Sequence, residues 1–197
     1  ARVSIVGKEA APFLNWITTQ LIKPQNNRAT YTCLCNAAGG TVDDVMLYKE
    51  SDESFFLVCN ASRREADLLH LREQAKNYKV EIIENFHNEG ILALQGPLAS
   101  QFFPLVKPMT FEKRGEMIVA GTGYTGSGGV EIFAPHAKIV ELWDQLLSQG
   151  VQPIGLGARD TLRLEKGYAL YGHELSETIA PIESVSAWTV HLEKDFL

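Results

Sequence analysis

Three strand-like runs follow one another between residues 30 and 60, and they constrain the fold more than any other feature of the chain. The runs are TYTCLCN (30–36), TVDDVMLYK (41–49) and FFLVCN (55–60). β-Branched and aromatic residues dominate them, as is typical of strands. Connections this short join antiparallel neighbours, because a parallel pair needs a crossover of a dozen or more residues. The sequence therefore predicts an antiparallel meander.

Around the meander, helical and strand-like segments come in clusters and do not alternate strictly. The apolar spacing predicts helices over 8–22, 61–78, 136–150 and 155–167 and a fifth over 97–106, beginning at Pro97. Further strands are expected at 2–7, 79–85 and 90–96, with two more inside 115–135. Such clustering is typical of α+β proteins. We therefore expect an α+β fold with antiparallel or mixed sheets and flanking helices.

Composition excludes several classes of partner. The chain has 197 residues, 45% hydrophobic and 21% charged, which is ordinary for one large or two small globular domains. A formal net charge of −6 argues against non-specific nucleic-acid binding, which needs a basic surface. No apolar run reaches the length of a membrane span, and ARVSIVGKEAAPF lacks the form of a signal peptide. We expect no nucleic-acid partner and no membrane partner.

The cysteines and histidines do not form a recognisable metal motif. Cys33, Cys35 and Cys59 are odd in number, lie in apolar strand-like runs and have no histidine at zinc-ligand spacing. We expect buried free thiols, as in a reducing compartment. The five histidines show neither H-x-x-x-H nor H-E-x-x-H spacing, so no metal site is predicted.

Two adjacent carboxylates, Asp43 and Asp44, follow Gly39 and Gly40 at the head of an apolar run. Asp is depleted in strands because its side chain competes for backbone hydrogen bonds. One interpretation is a turn that ends on Asp residues. The other is that one carboxylate is held in a pocket to handle a proton or bind a cationic group.

The glycine-rich stretch GTGYTGSGGVEIF (121–133) is neither of the common phosphate-binding motifs. It lacks the lysine of a P-loop, and a strand follows the GTGYTG spelling where a dinucleotide fingerprint needs a helix. What remains is a hairpin with Tyr124 at its tip and Glu131 on the outgoing strand. Either it is a plain hairpin, or its glycines admit a flat ligand that Tyr124 stacks on and Glu131 binds.

A helix over 155–167 carries Arg159 and Arg163 four residues apart, with Asp160 and Glu165 nearby. The pattern fits surface ion pairs between residues one turn apart. It also fits a site in which Arg159 binds a carboxylate ligand, because a guanidinium fork matches carboxylate geometry. The segment leaves both interpretations open.

Taken together, seven stretches between residues 36 and 190 resemble, in order, the aminomethyltransferase (T-protein) family of the glycine cleavage system, within the T-protein-like folate-binding proteins. They are NAAGGTVDDVMLYK, LVCNASRREADL, ALQGP, GTGYTGSGGVEIF, GLGARDTLRLEKGYALYGHEL, PIE and SAWTV. The resemblance implies the family's folate-binding fold without its C-terminal barrel domain. It also implies three parts: 1–50 in a first subdomain, 51–150 as a central α+β folate-binding subdomain, and 151–197 returning to the first.

The resemblance implies an enzyme that moves a one-carbon unit from the aminomethyl-lipoyl arm of H-protein to tetrahydrofolate and releases ammonia. Its expected compartment is the cytoplasm, or the mitochondrial matrix in a eukaryote. Asp44 matches the family's catalytic aspartate near the folate N10. The positions that match its folate-binding residues are Glu131, Arg159, Tyr31, Tyr124 and Tyr168.

Elementary chemistry agrees with these implied roles. A carboxylate such as Glu131 can accept two hydrogen bonds from the guanidine-like edge of a pterin, and tyrosine faces suit its flat ring. An anionic Asp44 can stabilise positive charge on the transferred carbon and orient N10. Because neighbouring strand residues face opposite ways, Asp43 is then expected at the turn or in solvent.

Three alternatives stay open at this point. One is a folate-binding relative that supports iron–sulfur enzymes and tRNA modification, although Tyr168 stands where that branch carries a cysteine. Another is a folate-dependent demethylase or the folate domain of a dimethylglycine- or sarcosine-oxidising enzyme. The third is a non-catalytic module that retains only a degenerate pocket.

Overall fold

The computed structural model describes residues 1–85 and 87–197. The chain folds into two compact units. The first unit combines Ala1–Asn85 with Ala169–Leu197, and the second is Phe86–Tyr168. The chain therefore leaves the first unit once and returns to it.

The first unit is built on a five-stranded antiparallel sheet. Its strands are β1 (Arg2–Val6), β2 (Arg28–Cys35), β3 (Thr41–Ser51), β4 (Ser54–Val58) and β5 (Glu81–Glu84). They lie in the order β2-β3-β4-β1-β5. The pairs β2–β3 and β3–β4 are the predicted meander, which is confirmed. Cys33, Cys35 and Cys59 are buried and free, as predicted.

Two helices and an irregular return segment complete this unit. Helix α1 (Ala10–Ile17) buries Ala10, Phe13, Leu14 and Ile17, a spacing that puts one apolar face on the sheet. Helix α2 (Arg64–Gln74) buries Asp67, Leu68 and Leu71. In the return segment, the carbonyls of Ser176 and Ile179 accept the Thr41 N–H at 2.9 and 3.0 Å. This anchors residues 169–197 beside the start of β3.

The second unit is a four-stranded antiparallel sheet covered by a helix. Its elements are β6 (Glu89–Gln95), β7 (Phe111–Arg114), β8 (Met117–Ala120), β9 (Gly129–Pro135), α3 (His136–Ser148) and α4 (Leu156–Lys166). The sheet order is β6-β9-β8-β7. Helix α3 packs on β6 and β9, where Leu142 and Leu146 join Val130 and Ile132 in the core. The predicted α+β class is confirmed.

The structure departs from the sequence-based prediction in two elements and in the division of the chain. The helix predicted from Pro97 is wrong: only the short 3₁₀ turn Ala99–Gln101 forms there. Pro104 has no N–H and drives Phe103 out of the helical region, so the turn cannot continue. Strand β7 is not predicted by the sequence.

The boundaries of the two units also differ from the expected ones. They lie near residues 85 and 168, whereas the sequence suggests boundaries near 50 and 150, because β4 and β5 both pair with β1.

Among the described residues, no helix combines the length and the hydropathy needed to cross a bilayer.

Gly129 at the start of β9 is a position where the backbone requires glycine. Its φ is +130°, and an added Cβ would lie 2.2 Å from the Leu94 carbonyl oxygen. We expect Gly129→Ala to lower the free energy of unfolding by at least about 2 kcal/mol. Gly157→Ala is the matched control, because that Cβ meets open space on α4; it should raise stability by about 0.5–1 kcal/mol. Equal shifts of the two urea midpoints would contradict this account.

Candidate functional site

Asp44 is held by one hydrogen-bond donor on each carboxylate oxygen. It lies on β3 opposite Cys33 of β2, and Tyr31, two residues along β2, shares its face of the sheet. The Tyr31 hydroxyl donates to Oδ2 at 2.9 Å. The Asn60 side-chain amide donates to Oδ1 at 2.9 Å. The position of the charge is therefore fixed by strands β2 and β3 and by Asn60, which lies two residues after β4.

The return segment adds an aromatic surface beside this carboxylate. The Tyr31 hydroxyl lies 3.3 Å from Ser186 Oγ, and the Tyr31 ring stacks on Trp188 with centroids 5.6 Å apart. Trp188 is 65% exposed. A flat apolar face next to a half-buried carboxylate suits an aromatic ligand that also carries an amine.

Burial sets the ionisation of this cluster. It raises the pKa of Asp44 to about 6, and the nearby charge of Asp43 adds to the rise, while the hydrogen bonds from Tyr31 and Asn60 oppose it. Burial also raises the pKa of Tyr31 far above its usual range, so Tyr31 stays a donor. Asp44 is thus mostly ionised at neutral pH but close to its titration range.

The expectation that Asp43 lies at the turn or in solvent is wrong. Asp43 is 0% exposed, and its two oxygens accept the backbone N–H and the side-chain amide of Asn60 at 3.0 and 2.8 Å. Helix α2 packs against β3, and its Asp67 lies next to Asp43, so this side chain is covered.

In the second unit, Glu131 lies on β9 between two alanines. Ala93 of β6 and Ala120 of β8 pair with it, so the side chains on either side are short and leave room above the carboxylate. The Thr122 hydroxyl donates to Oε2 at 2.5 Å. Burial raises the pKa of Glu131, while the Thr122 hydrogen bond and the charge of Arg159 oppose the rise.

Arg159, Tyr124 and Tyr168 form a stacked column in the second unit. The Arg159 guanidinium carbon lies 4.3 Å from the Tyr124 ring centroid, and the Tyr124 and Tyr168 centroids are 5.9 Å apart. Arg163 on α4 is 3% exposed and donates to the Tyr168 carbonyl at 3.1 Å, which holds that residue in place. Within the described chain, no residue accepts a hydrogen bond from the exposed Arg159 guanidinium. Its donors are available to a ligand.

A cavity of about 390 Å³ in this unit unites three of the predicted positions. Its polar contributors include Tyr124, Glu131 and Arg159, and its apolar walls include Leu94, Trp143, Leu147 and Ile154. This volume lies within the range of small-molecule pockets. The predicted residues therefore form two clusters: Asp44 and Tyr31 in the first unit, and Glu131, Arg159, Tyr124 and Tyr168 in the second.

The glycines of the 121–133 hairpin make room for the protein's own atoms. An added Cβ at Gly123 would lie 1.8 Å from Gln95 Oε1, and one at Gly126 would lie 2.4 Å from Lys166 Cδ. The Gln95 amide donates to the carbonyls of Thr122 and Val130 at 3.2 and 3.0 Å. These two glycines therefore pack against side chains of the protein itself.

Four site residues were not singled out from the sequence: Asn60, Thr122, Ser186 and Trp188. All four lie in stretches that show the family resemblance: Asn60 in LVCNASRREADL, Thr122 in GTGYTGSGGVEIF, and Ser186 and Trp188 in SAWTV. Their contacts with Asp44, Glu131 and Tyr31 depend on long-range pairing, which no local pattern shows.

Comparison with solved structures gives the class of protein. The fold is similar to the structure titled "Crystal structure of glycine cleavage system aminomethyltransferase T from Bartonella henselae", with a TM-score of 0.89 and 30% sequence identity. The match covers 99% of this chain and 57% of that chain.

The family follows from the sequence match. The family model for the GCVT N-terminal domain matches residues 1–194, and the chain belongs to this family. It is 41% identical over 211 residues to the aminomethyltransferase of Thermoanaerobacter sp. (strain X514), covering 98% of this chain and 57% of the relative. It is 40% identical over 216 residues to that of Stenotrophomonas maltophilia (strain K279a), covering 99% and 58%. The chain thus spans somewhat more than half the length of these curated relatives.

Proposed function

We propose that this protein is a tetrahydrofolate-dependent aminomethyltransferase of the glycine cleavage system. It takes the one-carbon unit from the aminomethyl-lipoyl arm of H-protein, transfers it to tetrahydrofolate and releases ammonia. The observation that carries the proposal is the Asp44 carboxylate, held by Tyr31 and Asn60 beside the exposed face of Trp188. Membership of the GCVT family and the names of the relatives support it.

Asp44 would stabilise the positive charge that develops on the transferred carbon during the reaction. The transferred carbon loses its bonds to the lipoyl sulfur and to ammonia and gains bonds to N5 and N10 of tetrahydrofolate. Positive charge develops on this carbon, N5 and N10 each lose a proton, and these two protons go to the leaving lipoyl sulfur and the leaving amine. An ionised carboxylate stabilises that charge electrostatically, and it can orient the N10 amine by accepting a hydrogen bond from its N–H group. Tyr31 and Asn60 keep the carboxylate in place, so little reorganisation is needed.

The second-unit cluster would bind the folate. Glu131 would accept hydrogen bonds from the donor edge of the pterin, since its Oε1 is not engaged by Thr122. Tyr168 is 36% exposed and offers a flat face, Tyr124 lines the same cavity as Glu131, and the available donors of Arg159 suit a carboxylate group of the ligand. Tetrahydrofolate is a substrate in this scheme, and lipoylated H-protein is the protein partner.

Turnover is expected to fall as the pH drops through about 6. Asp44 is charged above its pKa and neutral below it, so acid removes the group that stabilises the transferred carbon. The measurement is the rate of 5,10-methylene-tetrahydrofolate formation by the full-length protein between pH 5 and 8. The residual activity of Asp44→Asn should lack this acidic limb. A profile that is flat in the wild-type protein would contradict the assignment.

Tetrahydrofolate binding is the experiment that tests the proposal without its partner. Anaerobic calorimetric titration of tetrahydrofolate into the full-length protein should show one site per chain. No binding to the folded protein would remove the transferase proposal, because every role assigned above depends on the folate.

A further inference from the structure

Two further carboxyl groups, those of Asp43 and Asp67, lie close to Asp44. Asp43 of β3 and Asp67 of α2 are both 0% exposed. One oxygen of each carboxyl group and the sulfur of the buried Cys59 lie within 4.8 Å of one another. No step of the proposed reaction uses Asp67.

The two carboxyls differ in the donors that reach them. Asp43 accepts two hydrogen bonds from Asn60, at 3.0 and 2.8 Å. In the described part of the chain, no N–H or O–H group donates to either oxygen of Asp67, and its neighbouring donor is the weak S–H group of Cys59. Asp67 nevertheless faces Asp43 closely enough to form a hydrogen bond once one of the two is protonated. Two adjacent buried carboxylates cannot both stay ionised without a large cost.

Ionisation follows this asymmetry. Burial and, next, the charge of Asp43 together raise the pKa of Asp67 to about 9, although the charge of Arg63 and the Cys59 thiol oppose the rise. Burial also raises the pKa of Asp43, but the two Asn60 hydrogen bonds oppose that rise. The titratable and charged groups that interact with the pair are the amino group of Ala1 and the side chains of Cys33, Asp44, Cys59, Arg63 and Tyr171. The proton therefore belongs on Asp67.

We infer that Asp67 stays protonated in the folded protein at neutral pH, donates this proton to a hydrogen bond with Asp43, and thereby acts with Asp43 and Asn60 as a positioning group for Asp44. The geometry that carries the inference is the Asn60 amide. It donates to Asp43 Oδ1 at 2.8 Å and to Asp44 Oδ1 at 2.9 Å, so one side chain joins both carboxylates.

The inference assigns a single negative charge to the Asp43–Asp67 pair. Asp43 must be anionic to accept both Asn60 hydrogen bonds at full strength, and Asp67 must be neutral to be its third donor. The charge of Asp43 in turn raises the pKa of Asp44. A second charge on Asp67 would add repulsion at Asp44 and leave the orientation of Asn60 less well fixed.

Carbon-13 NMR of the full-length protein, labelled at its aspartate carboxyl carbons, tests the protonation directly. Asp67→Asn assigns the Asp67 resonance by its loss, and Asp144→Asn, an exposed change on α3, is the control. We expect the Asp67 resonance to stay at a protonated chemical shift at pH 7. A chemical shift that shows Asp67 ionised at pH 7 would overturn the inference. So would the finding that the wild-type protein binds one equivalent of metal ion and Asp67→Asn binds none. If Asp67→Asn does not fold, a pH titration of the wild-type protein labelled with ¹³C at the aspartate side-chain carboxyl carbon (Cγ) still shows whether one buried carboxyl is protonated at pH 7.

The positioning role has a second readout, which depends on the proposed function. Asp43→Asn removes a charge beside Asp44 and should move the acidic limb of turnover to lower pH. If Asp67 is protonated, Asp67→Asn removes no charge, and the new amide can donate to Asp43. The pH midpoint of the acidic limb of turnover should then stay in place, even if the maximal rate changes. A shift as large as that of Asp43→Asn would overturn the inference. The NMR result stands even if the protein shows no transferase activity, so the two failures are distinguishable.

Discussion

Replacing Asp44 with Asn in the full-length protein is expected to lower turnover by about 10²- to 10⁴-fold, the range for loss of a charged catalytic group. The amide has nearly the same size, and its oxygen can still accept one hydrogen bond from Tyr31 or Asn60. What it loses is the negative charge next to the transferred carbon. The measurement is the initial rate of 5,10-methylene-tetrahydrofolate formation from aminomethylated H-protein at pH 7.5.

The control for this prediction is Asp144→Asn, which makes the same chemical change at an exposed position of α3. It should leave the rate within about twofold of the wild-type value, since surface substitutions rarely disturb a distant site. Unfolding midpoints of both variants show whether they are folded. Wild-type turnover in folded Asp44→Asn would exclude Asp44 from the reaction.

Replacing Glu131 with Gln is expected to weaken tetrahydrofolate binding by about 10²-fold. Loss of one partner from a buried, charged hydrogen-bond pair costs about 2–5 kcal/mol, and each 1.4 kcal/mol is a tenfold change in affinity. The carbonyl of Gln can still accept from Thr122, but its NH₂ group would then face the donor edge of the pterin. The measurement is the dissociation constant from anaerobic calorimetry.

Glu116→Gln is the matched control for this experiment. Glu116 is exposed between β7 and β8, in the same unit as Glu131, and lies outside the lining of the cavity. Its affinity for tetrahydrofolate should equal that of the wild-type protein. If folded Glu131→Gln binds as tightly as this control, then Glu131 does not contact the ligand.

Local sequence patterns predicted most of the elements of the fold. The meander of β2, β3 and β4 followed from strand propensity and short turns, and α4 ends where Gly167 takes a φ of +78°. Strand β7 was missed because FEKR holds one apolar residue in four and lies at the edge of its sheet. The order β2-β3-β4-β1-β5 was not accessible either, since it inserts the first strand between β4 and β5 by long-range pairing.

The candidate site was predicted in part, and the limit has the same physical origin. Asp44 and Glu131 stood out because carboxylates are unusual in strands, and the resemblance gave them roles. Asn60 lies 16 positions from Asp44 along the chain, and Trp188 lies 157 positions from Tyr31. No local sequence pattern joins residues so far apart. The burial of Asp43 depends on α2 packing against β3, and alternation within one strand cannot reveal that.

The most direct test of the proposed transferase function is an assay with the full-length protein, aminomethylated H-protein and tetrahydrofolate. We expect 5,10-methylene-tetrahydrofolate and ammonia to form in equal amounts, and neither to form at this rate when the protein is omitted. A folded protein that binds tetrahydrofolate but leaves the aminomethyl-lipoyl group unchanged would contradict it, and would identify a folate-binding module without transferase activity.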